Sequence, residues 1–386
     1  MFAARALRGF ADGFVAVLLP LYLVTRGFGA AEVGALATAT LLGSASATLA
    51  VGAWGHRFDS RSLMRAAAVL MAATGLGFAW ITGFGPLLLL AFVGTLNPSS
   101  GDVSVFLPLE HARLAEGQSQ QRTELFARYA LTGALCAAMG ALAAGLPERL
   151  VQALGMTPLQ SLQAMFVLYG LLGLAVWWAY RGLPAGQGAR ERAAPLGPAS
   201  RPAVLRLAAL FCLDSFAGGL VVNALLALWL FQRFQLSPAA AGAFFFGAGL
   251  LAAFSQLAAP ALARRIGLVN TMVFTHIPAS LCLIAAAFAP QREMALCLLL
   301  LRALVSSMDV PARSAFVMSV VQPQERAAAA SFTAVPRSLA AALSPVLAGW
   351  LFQAGWLATP LVACGLLKIS YDLALWRAFR HVQPSA

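Results

Sequence analysis

Charged side chains lie inside two apolar stretches of the sequence, each long enough to cross a membrane. The stretch 298–346 carries Arg302, Asp309 and Arg313 in one helix-length segment and Arg337 in the next, around the polar turn QPQER. An ionisable side chain at membrane depth costs roughly 2.5–3.5 kcal/mol on insertion scales, so it is tolerated where it faces a partner or a wet cavity. We therefore expect a polar site inside a membrane-embedded protein.

An earlier stretch repeats this arrangement, with Asp102 in one apolar segment and Arg128 in the next. Consecutive spans are antiparallel neighbours, which makes Asp102–Arg128 and Asp309–Arg337 predicted ion pairs. An Asp buried beside an Arg stays ionised, and each charge offsets part of the desolvation cost of the other. Such pairs either lock neighbouring helices together or form a gate whose pairs break and re-form, and the sequence leaves both interpretations open.

A third interpretation makes one of the aspartates a proton-binding site. Asp214 is the best candidate because its own helix offers no basic residue within four positions. Asp12 has Arg8 one helical turn before it, and Asp309 has Arg313 one turn after it, so both can be neutralised locally. Lys368 and Asp372 also stand one turn apart, in the last apolar segment, and are expected to form a structural pair. His276 is isolated and titratable near neutrality, so it stays a candidate as well.

The composition favours a protein immersed in lipid. Of 386 residues, 60% are hydrophobic and only 10% are charged, whereas soluble domains carry about 25% charged residues. The net charge of +12 is placed mainly in loops of one predicted side, which is the positive-inside asymmetry of membrane proteins rather than a nucleic-acid surface. The five cysteines lie in apolar runs without disulfide or metal spacing.

A span needs about 20 apolar residues, and this length predicts twelve transmembrane helices. The predicted spans are 4–25, 31–55, 64–82, 86–109, 123–145, 161–181, 203–231, 238–262, 270–289, 293–320, 327–353 and 355–377. A polar segment rich in Gly, Pro, Ala and Arg divides them. We therefore predict an all-α membrane protein with an N-terminal six-helix bundle over 1–181, a cytoplasmic linker over 182–202 and a C-terminal six-helix bundle over 203–386.

The two predicted halves match along their length, which indicates duplication. The matched pairs are Asp12 with Asp214, Arg57 with Arg265, Asp102 with Asp309 and Arg128 with Arg337. Because each half has an even number of spans, both have the same orientation and are related by an axis along the membrane normal.

The loop after span 2 carries a motif with a known counterpart. Here the sequence resembles the major facilitator superfamily, whose signature runs Gly-x-Leu-Ala-Asp-Arg-x-Gly-Arg-Arg. Gly52, Arg57 and Arg61 fit this signature, while His56 stands at the position of the Asp and Asp59 at the position of the second Gly. The pattern of six plus six spans and a basic central loop extends the resemblance over the whole chain. It leaves open whether Arg57, Asp59 and Arg61 still form the cytoplasmic latch of the family.

The resemblance implies a central substrate cavity lined by spans 1, 4, 7 and 10. The candidate residues for the cavity and for proton coupling are Asp12, Tyr22, Asn97, Ser100, Asp102, Asp214, Asn223, Ser306 and Asp309. The candidate gate or ion-pair residues are Arg128, Arg313, Arg337, Arg57, Asp59 and Arg61.

Taken together, the sequence predicts a proton-coupled secondary transporter that moves a small molecule by alternating access. The aliphatic spans favour export of an amphiphilic substrate, whereas Arg302 or Arg313 facing inward would favour uptake of an organic anion. Nutrient uptake by symport or uniport, and a non-transporting receptor on the same fold, are further alternatives. Without a P-loop sequence or a catalytic constellation, we expect no enzyme activity, cofactor or metal. We expect a monomer in a bacterial-type inner membrane, with both termini cytoplasmic.

Overall fold

The computed structural model describes residues 1–99, 104–115, 122–184, 197–198 and 200–380, and these residues form α-helices joined by turns, without a strand. The helices of the first part of the chain are α1 (Phe2–Thr25), α2 (Ala30–Trp54), α3 (Ser60–Trp80), α4 (Phe84–Val93), α5 (Phe106–Ala115), α6 (Arg122–Leu142), α7 (Leu146–Leu154) and α8 (Pro158–Arg181). The others are α9 (Arg201–Gly219), α10 (Asn223–Phe234), α11 (Pro238–Ile266), α12 (Leu268–Ala287), α13 (Arg292–Ser306), α14 (Asp309–Ser319), α15 (Arg326–Gln353) and α16 (Thr359–Phe379).

The predicted all-helical membrane architecture is confirmed. Within the described residues, ten helical segments are long and apolar enough to cross a membrane. The shorter helix α4 and the last helix α16 fall where spans 4 and 12 are predicted. The observed helices are therefore consistent with the predicted twelve spans.

Three predicted spans are interrupted rather than continuous, which corrects the sequence prediction. Span 4 is divided between α4 and α5, span 7 breaks at 220–222 between α9 and α10, and span 10 breaks at 307–308 between α13 and α14. In span 4, α4 ends at Val93 with Gly94 in an extended conformation, and Pro98 further along disfavours helical backbone at the residue before it. Two consecutive glycines precede the break in span 7, and Pro311 lies in the first turn after the break in span 10.

Side chains cap several helices at their start, among them α3 and α8. The Asp59 carboxylate accepts a hydrogen bond from the backbone N–H of Ser62 at 3.2 Å, at the start of α3. The Thr157 hydroxyl accepts from the N–H of Gln160, whose side chain returns to the N–H of Thr157 at the start of α8. Each interaction satisfies donors that the first turn of a helix leaves free.

The chain divides into two compact units that do not follow chain order. The first consists of Met1–Arg190, Val222–Gly247 and Pro345–Gln353, and the second of Glu191–Val221, Ala248–Ser344 and Ala354–Ala386. The first unit thus includes α10, the beginning of α11 and the end of α15. The predicted division at 182–202 stays a prediction.

Small residues allow close helix packing inside the first unit. A Cβ placed on Gly75 of α3 would overlap the backbone of Gly170 in α8. On α2, Gly34 packs in the same way against the backbone of Pro345 and Gly349 in α15. Small residues at helix contacts let backbones approach closely, which is the usual basis of helix association in lipid.

Hydrogen bonds reinforce the contact between α2 and the end of α15. The Thr38 hydroxyl accepts from the backbone N–H of Val346 at 3.0 Å, and the Gln353 side chain accepts from the N–H of Ala31 at 2.9 Å. In the same unit, the N–H of Ala224 donates to the carbonyl of Pro98 at 2.9 Å. This last bond satisfies a backbone group that the break in span 4 leaves outside a helix.

Candidate functional site

A cluster of buried polar side chains centred on Glu110 lies in the first unit. Glu110 is fully buried and accepts hydrogen bonds from Arg8, Tyr129 and Tyr180, the last with its hydroxyl 2.6 Å from Oε1. Arg8 Nη2 also lies 3.3 Å from the Tyr129 hydroxyl, and its guanidinium stands over the ring of Phe106. One carboxylate and one guanidinium balance each other here, and the cluster joins α1, α5, α6 and α8.

Asp12 lies one turn further along α1 from Arg8. The Asn97 side chain donates a hydrogen bond to its carboxylate, which also lies in the field of Arg8 and Arg5. The amide oxygen of Asn97 accepts from the backbone N–H and the hydroxyl of Ser99 at 3.2 and 2.7 Å. The amide nitrogen is therefore the group that Asn97 directs at Asp12, which brings two predicted cavity residues together.

Asp214 is the centre of a second cluster, which lies in the second unit. Its Oδ1 accepts from Lys368 Nζ at 2.7 Å and its Oδ2 from Arg313 Nη2 at 2.9 Å, with the Asp214 side chain 5% exposed. Arg313 also forms an ion pair with Asp309, one turn before it on α14. The predicted absence of basic neighbours therefore holds only for the helix of Asp214 itself. Its two cations come from α14 and α16.

His276 of α12 extends this second cluster. Its Nδ1 lies 3.1 Å from Asp372 Oδ1, and its Nε2 lies 3.3 Å from Lys368 Nζ and 3.9 Å from Asp214 Oδ1. An ammonium group only donates hydrogen bonds, so Nε2 accepts from Lys368 and the Nδ1–H donates to Asp372. A continuous chain of contacts thus runs from Arg313 through Asp214, Lys368 and His276 to Asp372.

The structure changes two of the predicted ion pairs. Of the two partners that the sequence offers to Asp309, the structure pairs it with Arg313 and not with Arg337, because α14 places residues four apart on one face. The predicted pair of Lys368 with Asp372 is replaced by their separate contacts with Asp214 and His276. Arg337 acts on Asp214 and Asp309 through its field.

Ser100 and Asp102 lie outside the described residues, and so does the predicted pair of Asp102 with Arg128. Arg128 pairs with Glu124 one turn before it on α6. The side chains of Arg128 and Glu124 are 70% and 64% exposed, so this pair is a solvated or headgroup-facing one.

The remaining predicted cavity residues lie either at a buried contact between helices or at the ends of helices. Tyr22 is fully buried, donates to the carbonyl of Phe78 and accepts from Arg26 Nη1 at 2.6 Å, which ties α1 to α3. Asn223 is the first residue of α10 and Ser306 is the last of α13, and both are half-buried. These two side chains therefore stand at the interruptions of spans 7 and 10.

The three loop residues of the predicted latch have distinct surroundings. Asp59 caps α3, and Arg61 Nη2 donates to the carbonyl of Arg181 at the end of α8, at 2.7 Å. Arg57 is exposed. A cation at the C-terminal end of a helix is favoured by the helix dipole, which makes the Arg61 contact an anchor between α3 and α8.

Sequence reasoning missed Glu110, Tyr129 and Tyr180. Span 4 was predicted to end at residue 109, which put Glu110 at the start of a polar loop. The signal that identifies it is Pro98: a helix broken there restarts later, and a restart at Phe106 carries Glu110 in its first turns. The tyrosines stand inside apolar segments, where a buried hydroxyl needs a polar partner.

Each unit also contains a small cavity. The first, about 200 Å³, lies among α2, α3 and the interrupted span 4 and is lined mainly by apolar residues such as Val51, Leu70 and Leu109. The second, about 290 Å³, lies among α11, α12 and α14 beside Pro260 and Arg264. Among the described residues, neither cavity is lined by a predicted site residue.

Comparisons with known proteins agree with this architecture. A sequence model described as "Major Facilitator Superfamily" matches residues 1–306 and 207–385. An uncharacterized membrane protein of Saccharomyces cerevisiae is 23% identical over 412 residues, which cover 97% of this chain and 92% of the yeast protein.

Solved transporter structures share the fold over nearly the whole chain. A mutant of the nucleoside transporter NupG has a TM-score of 0.75 at 16% identity, covering 98% of both chains. The xylose transporter XylE from E. coli, in an inward open conformation, has a TM-score of 0.73 at 14% identity, covering 100% of this chain and 95% of that one.

Proposed function

The chain belongs to the major facilitator superfamily, and from that premise we propose that it is a proton-coupled secondary transporter that exports a small molecule by alternating access. Membership makes it a multi-pass membrane protein of a family that transports small molecules. Proton coupling and export are the parts that the proposal adds. We place the protein in a bacterial-type inner membrane as a monomer, with both termini in the cytoplasm and bundles over 1–181 and 203–386.

One observation carries the proposal: charged side chains are buried and paired between helices, and two of these helices, those of Asp214 and Arg313, belong to segments apolar enough to cross a membrane. Asp214, Arg313 and Lys368 are 5%, 12% and 12% exposed and contact one another across three helices. Charges at this depth are costly and mark ion or substrate pathways. A cluster held by hydrogen bonds between separate helices rearranges when those helices move, as alternating access requires.

The state of Arg313 favours export of a neutral or cationic amphiphile over uptake of an organic anion. Its guanidinium is already paired with Asp214 and Asp309, so it does not offer a free positive charge to an anionic substrate. Nutrient uptake is the second candidate, because the similar structures include proteins described as nucleoside and xylose transporters.

The test uses inside-out membrane vesicles that carry the protein, beside vesicles from cells with the empty vector. An acid interior is established, and a panel of lipophilic cations, neutral amphiphiles, organic anions, nucleosides and sugars is added while a pH-sensitive dye reports proton release. We expect saturable, protein-dependent release with one of the amphiphile classes. Release with organic anions, nucleosides or sugars alone would replace the proposed substrate class.

A matched carboxylate variant controls for expression and folding. Glu293→Gln removes a carboxylate that is 67% exposed and paired with its neighbour Arg292, so it should leave proton release unchanged. Asp214→Asn should lower release by at least tenfold per molecule of folded protein. Equal release from Asp214→Asn and wild-type vesicles would remove Asp214 from the mechanism. Substrate flux without any proton movement would contradict the coupling.

A further inference from the structure

The end of the second cluster at Asp372 has an unusual hydrogen-bond arrangement. Asp372 is fully buried, its Oδ1 contacts His276 Nδ1, and its Oδ2 has no partner among the described residues. The His276 side chain is 6% exposed. A buried carboxylate with one hydrogen bond keeps most of its desolvation cost, and it is relieved by a proton.

A count of formal charges in the cluster also indicates that Asp372 is the carboxylate that binds a proton. Asp214, Asp309 and Asp372 carry three negative charges, while Arg313 and Lys368 carry two positive charges. With His276 neutral, these groups in direct contact carry one excess negative charge, while Arg337 acts on Asp214 and Asp309 through its field. The excess charge falls on Asp372, because the two cations contact Asp214 and Asp309 directly and Asp372 has only the imidazole.

The helices around His276 and Asp372 carry further charged or titratable groups that contribute to the electrostatics of this region. They are Asp214 from α9, Arg302 from α13, Asp309 and Arg313 from α14, Arg337 from α15, and Lys368 and Tyr371 from α16. The field of Arg337 acts on Asp214 and Asp309, and that of Arg302 on Cys282 and Cys364. The groups that act most strongly on Asp372 are His276, Asp214 and Lys368, and Asp372 also interacts with the neighbouring Tyr371 hydroxyl.

We propose that His276 and Asp372 together bind one proton, and that this pair on α12 and α16, rather than an aspartate of the cavity-lining spans, is the coupling site. The unprotonated pair is neutral imidazole with carboxylate. The protonated pair carries the proton on either group and has no net charge. The inference rests on the proposed transport function and names the place where its proton binds.

The geometry indicates how proton binding at this pair affects Asp214. In the unprotonated state, His276 Nε2 accepts from the Lys368 ammonium, which also holds Asp214 Oδ1. A proton on Nε2 turns that acceptor into a donor and sets two positive charges 3.3 Å apart. Lys368 is then repelled, and the new Nε2–H competes with it for Asp214 Oδ1, 3.9 Å away. Proton binding thus loosens one of the two ion pairs that Asp214 of α9 makes with neighbouring helices.

Direct acid–base titration of the purified protein tests the proton pair without any substrate. Proton uptake is measured between about pH 8 and pH 5 in phosphatidylcholine liposomes, and infrared difference spectra follow the carboxyl and imidazole bands. We expect His276→Gln and Asp372→Asn each to lose the same uptake of about one proton per molecule, with no further loss in the double variant. A histidine that titrates alone would lose the uptake only in His276→Gln, and unchanged uptake in Asp372→Asn would overturn the proposal.

A third variant separates the proposal from misfolding. Lys368→Gln removes the ammonium beside His276, so the pair should bind its proton at higher pH than in the wild type. A misfolded protein would expose the pair and show no such shift. Glu293→Gln serves as the matched carboxylate control and should titrate like the wild type in this range.

Transport measurements then test the coupling. For a compound that moves in the vesicle assay, Asp372→Asn should keep downhill exchange and lose at least tenfold of its proton-driven accumulation. Intact accumulation would overturn the coupling role. If no compound moves, the transporter proposal fails, while the titration still decides whether the pair binds a proton.

Discussion

Glu110 holds three side chains from three other helices, and only one of them is charged. Glu110→Gln should therefore destabilise the protein much more than Tyr180→Phe. The first change leaves the Arg8 guanidinium, 3% exposed, without its counter-charge, which costs about 3–5 kcal/mol. The second removes one hydrogen bond to a charged acceptor, worth about 1.5–3 kcal/mol. Thermal unfolding in detergent measures both, and an equal loss of stability would show that the counter-charge of Arg8 contributes no more than the Tyr180 hydrogen bond.

Asp309 contacts Arg313 directly and feels Arg337 only through its field. A double-mutant cycle of Asp309→Asn with Arg313→Gln should give a coupling energy of about 1–3 kcal/mol, larger than the cycle of Asp309→Asn with Arg337→Gln. Both cycles use the same unfolding assay, so each serves as the control of the other. A larger coupling with Arg337 would restore the pair that the sequence predicts.

At the residue scale, the sequence is a better guide to which charged side chains are buried than to which of them form ion pairs. The aspartates and arginines of the interior could be recognised because ionisable groups in apolar segments are rare. Their partners depend on where a helix starts and how it is rotated, and the break before Asp309 decided the pairing with Arg313. Asp372 and His276 are distant in sequence and on separate helices, so no local spacing indicates their contact.

The segment between α14 and α15 is tied to the start of α9 by a carboxylate. Glu325 accepts hydrogen bonds from the Ser200 hydroxyl and from the N–H of Gly197 at 2.6 Å. These donors, the hydroxyl first, hold the pKa of Glu325 below its ordinary value. A carboxylate with a lowered pKa stabilises the fold above its unfolded pKa of about 4.3 and loses this contribution as the pH falls through its folded pKa.

Glu325→Gln should therefore lower the unfolding temperature at neutral pH, and the difference from the wild type should shrink below about pH 4. Ser200→Ala should give a smaller loss in the same pH window, because the N–H of Gly197 remains. Unfolding followed by tryptophan fluorescence over a pH series measures this. If the difference in unfolding temperature between Glu325→Gln and the wild type stays constant across the pH series, the ionised Glu325 carboxylate is not the cause of the stabilisation.

The contact between α2 and α15 depends on the absence of side chains at Gly34 and Gly349. Gly34→Leu should force the two helices apart and expose Thr38. A cysteine at position 38 should then react several-fold faster with a membrane-impermeant maleimide. Gly52→Leu is the matched control, because a side chain at Gly52 of the same helix meets no atom within 4 Å. Equal reaction rates in the two variants would show that the contact between α2 and α15 does not depend on the absence of a side chain at Gly34.

At the element scale, helix positions followed from apolar length, and capping residues such as Asp59 and Thr157 explain where two of them begin. The breaks at 220–222 and 307–308 were missed because a run of apolar residues reads as continuous whether or not its backbone is helical. Whether a proline only bends a helix or interrupts it completely depends on the backbone groups that pack beside it. The hydrogen bond from the N–H of Ala224 to the carbonyl of Pro98 is such a contact, and the sequence does not reveal it.

Over the whole molecule, the asymmetry of basic residues among the loops predicts the membrane orientation. In a background without the five native cysteines, Arg149→Cys in α7 should react with an impermeant maleimide in intact cells. Arg264→Cys at the end of α11 should react only after the membrane is permeabilised. Both positions are exposed, so a difference in labelling reports the side of the membrane. The reverse pattern would invert the predicted topology.

The composition of the first unit has a consequence for the order of events during synthesis. Its segment Pro345–Gln353 packs against α2, although helices α3 to α14 lie between them in the sequence. α2 is therefore in the membrane without this neighbour while α3 to α14 are being synthesised. Contacts so distant in sequence form late and slow the folding reaction. A nascent chain of this protein is accordingly most exposed to misassembly and degradation in the interval before α15 arrives.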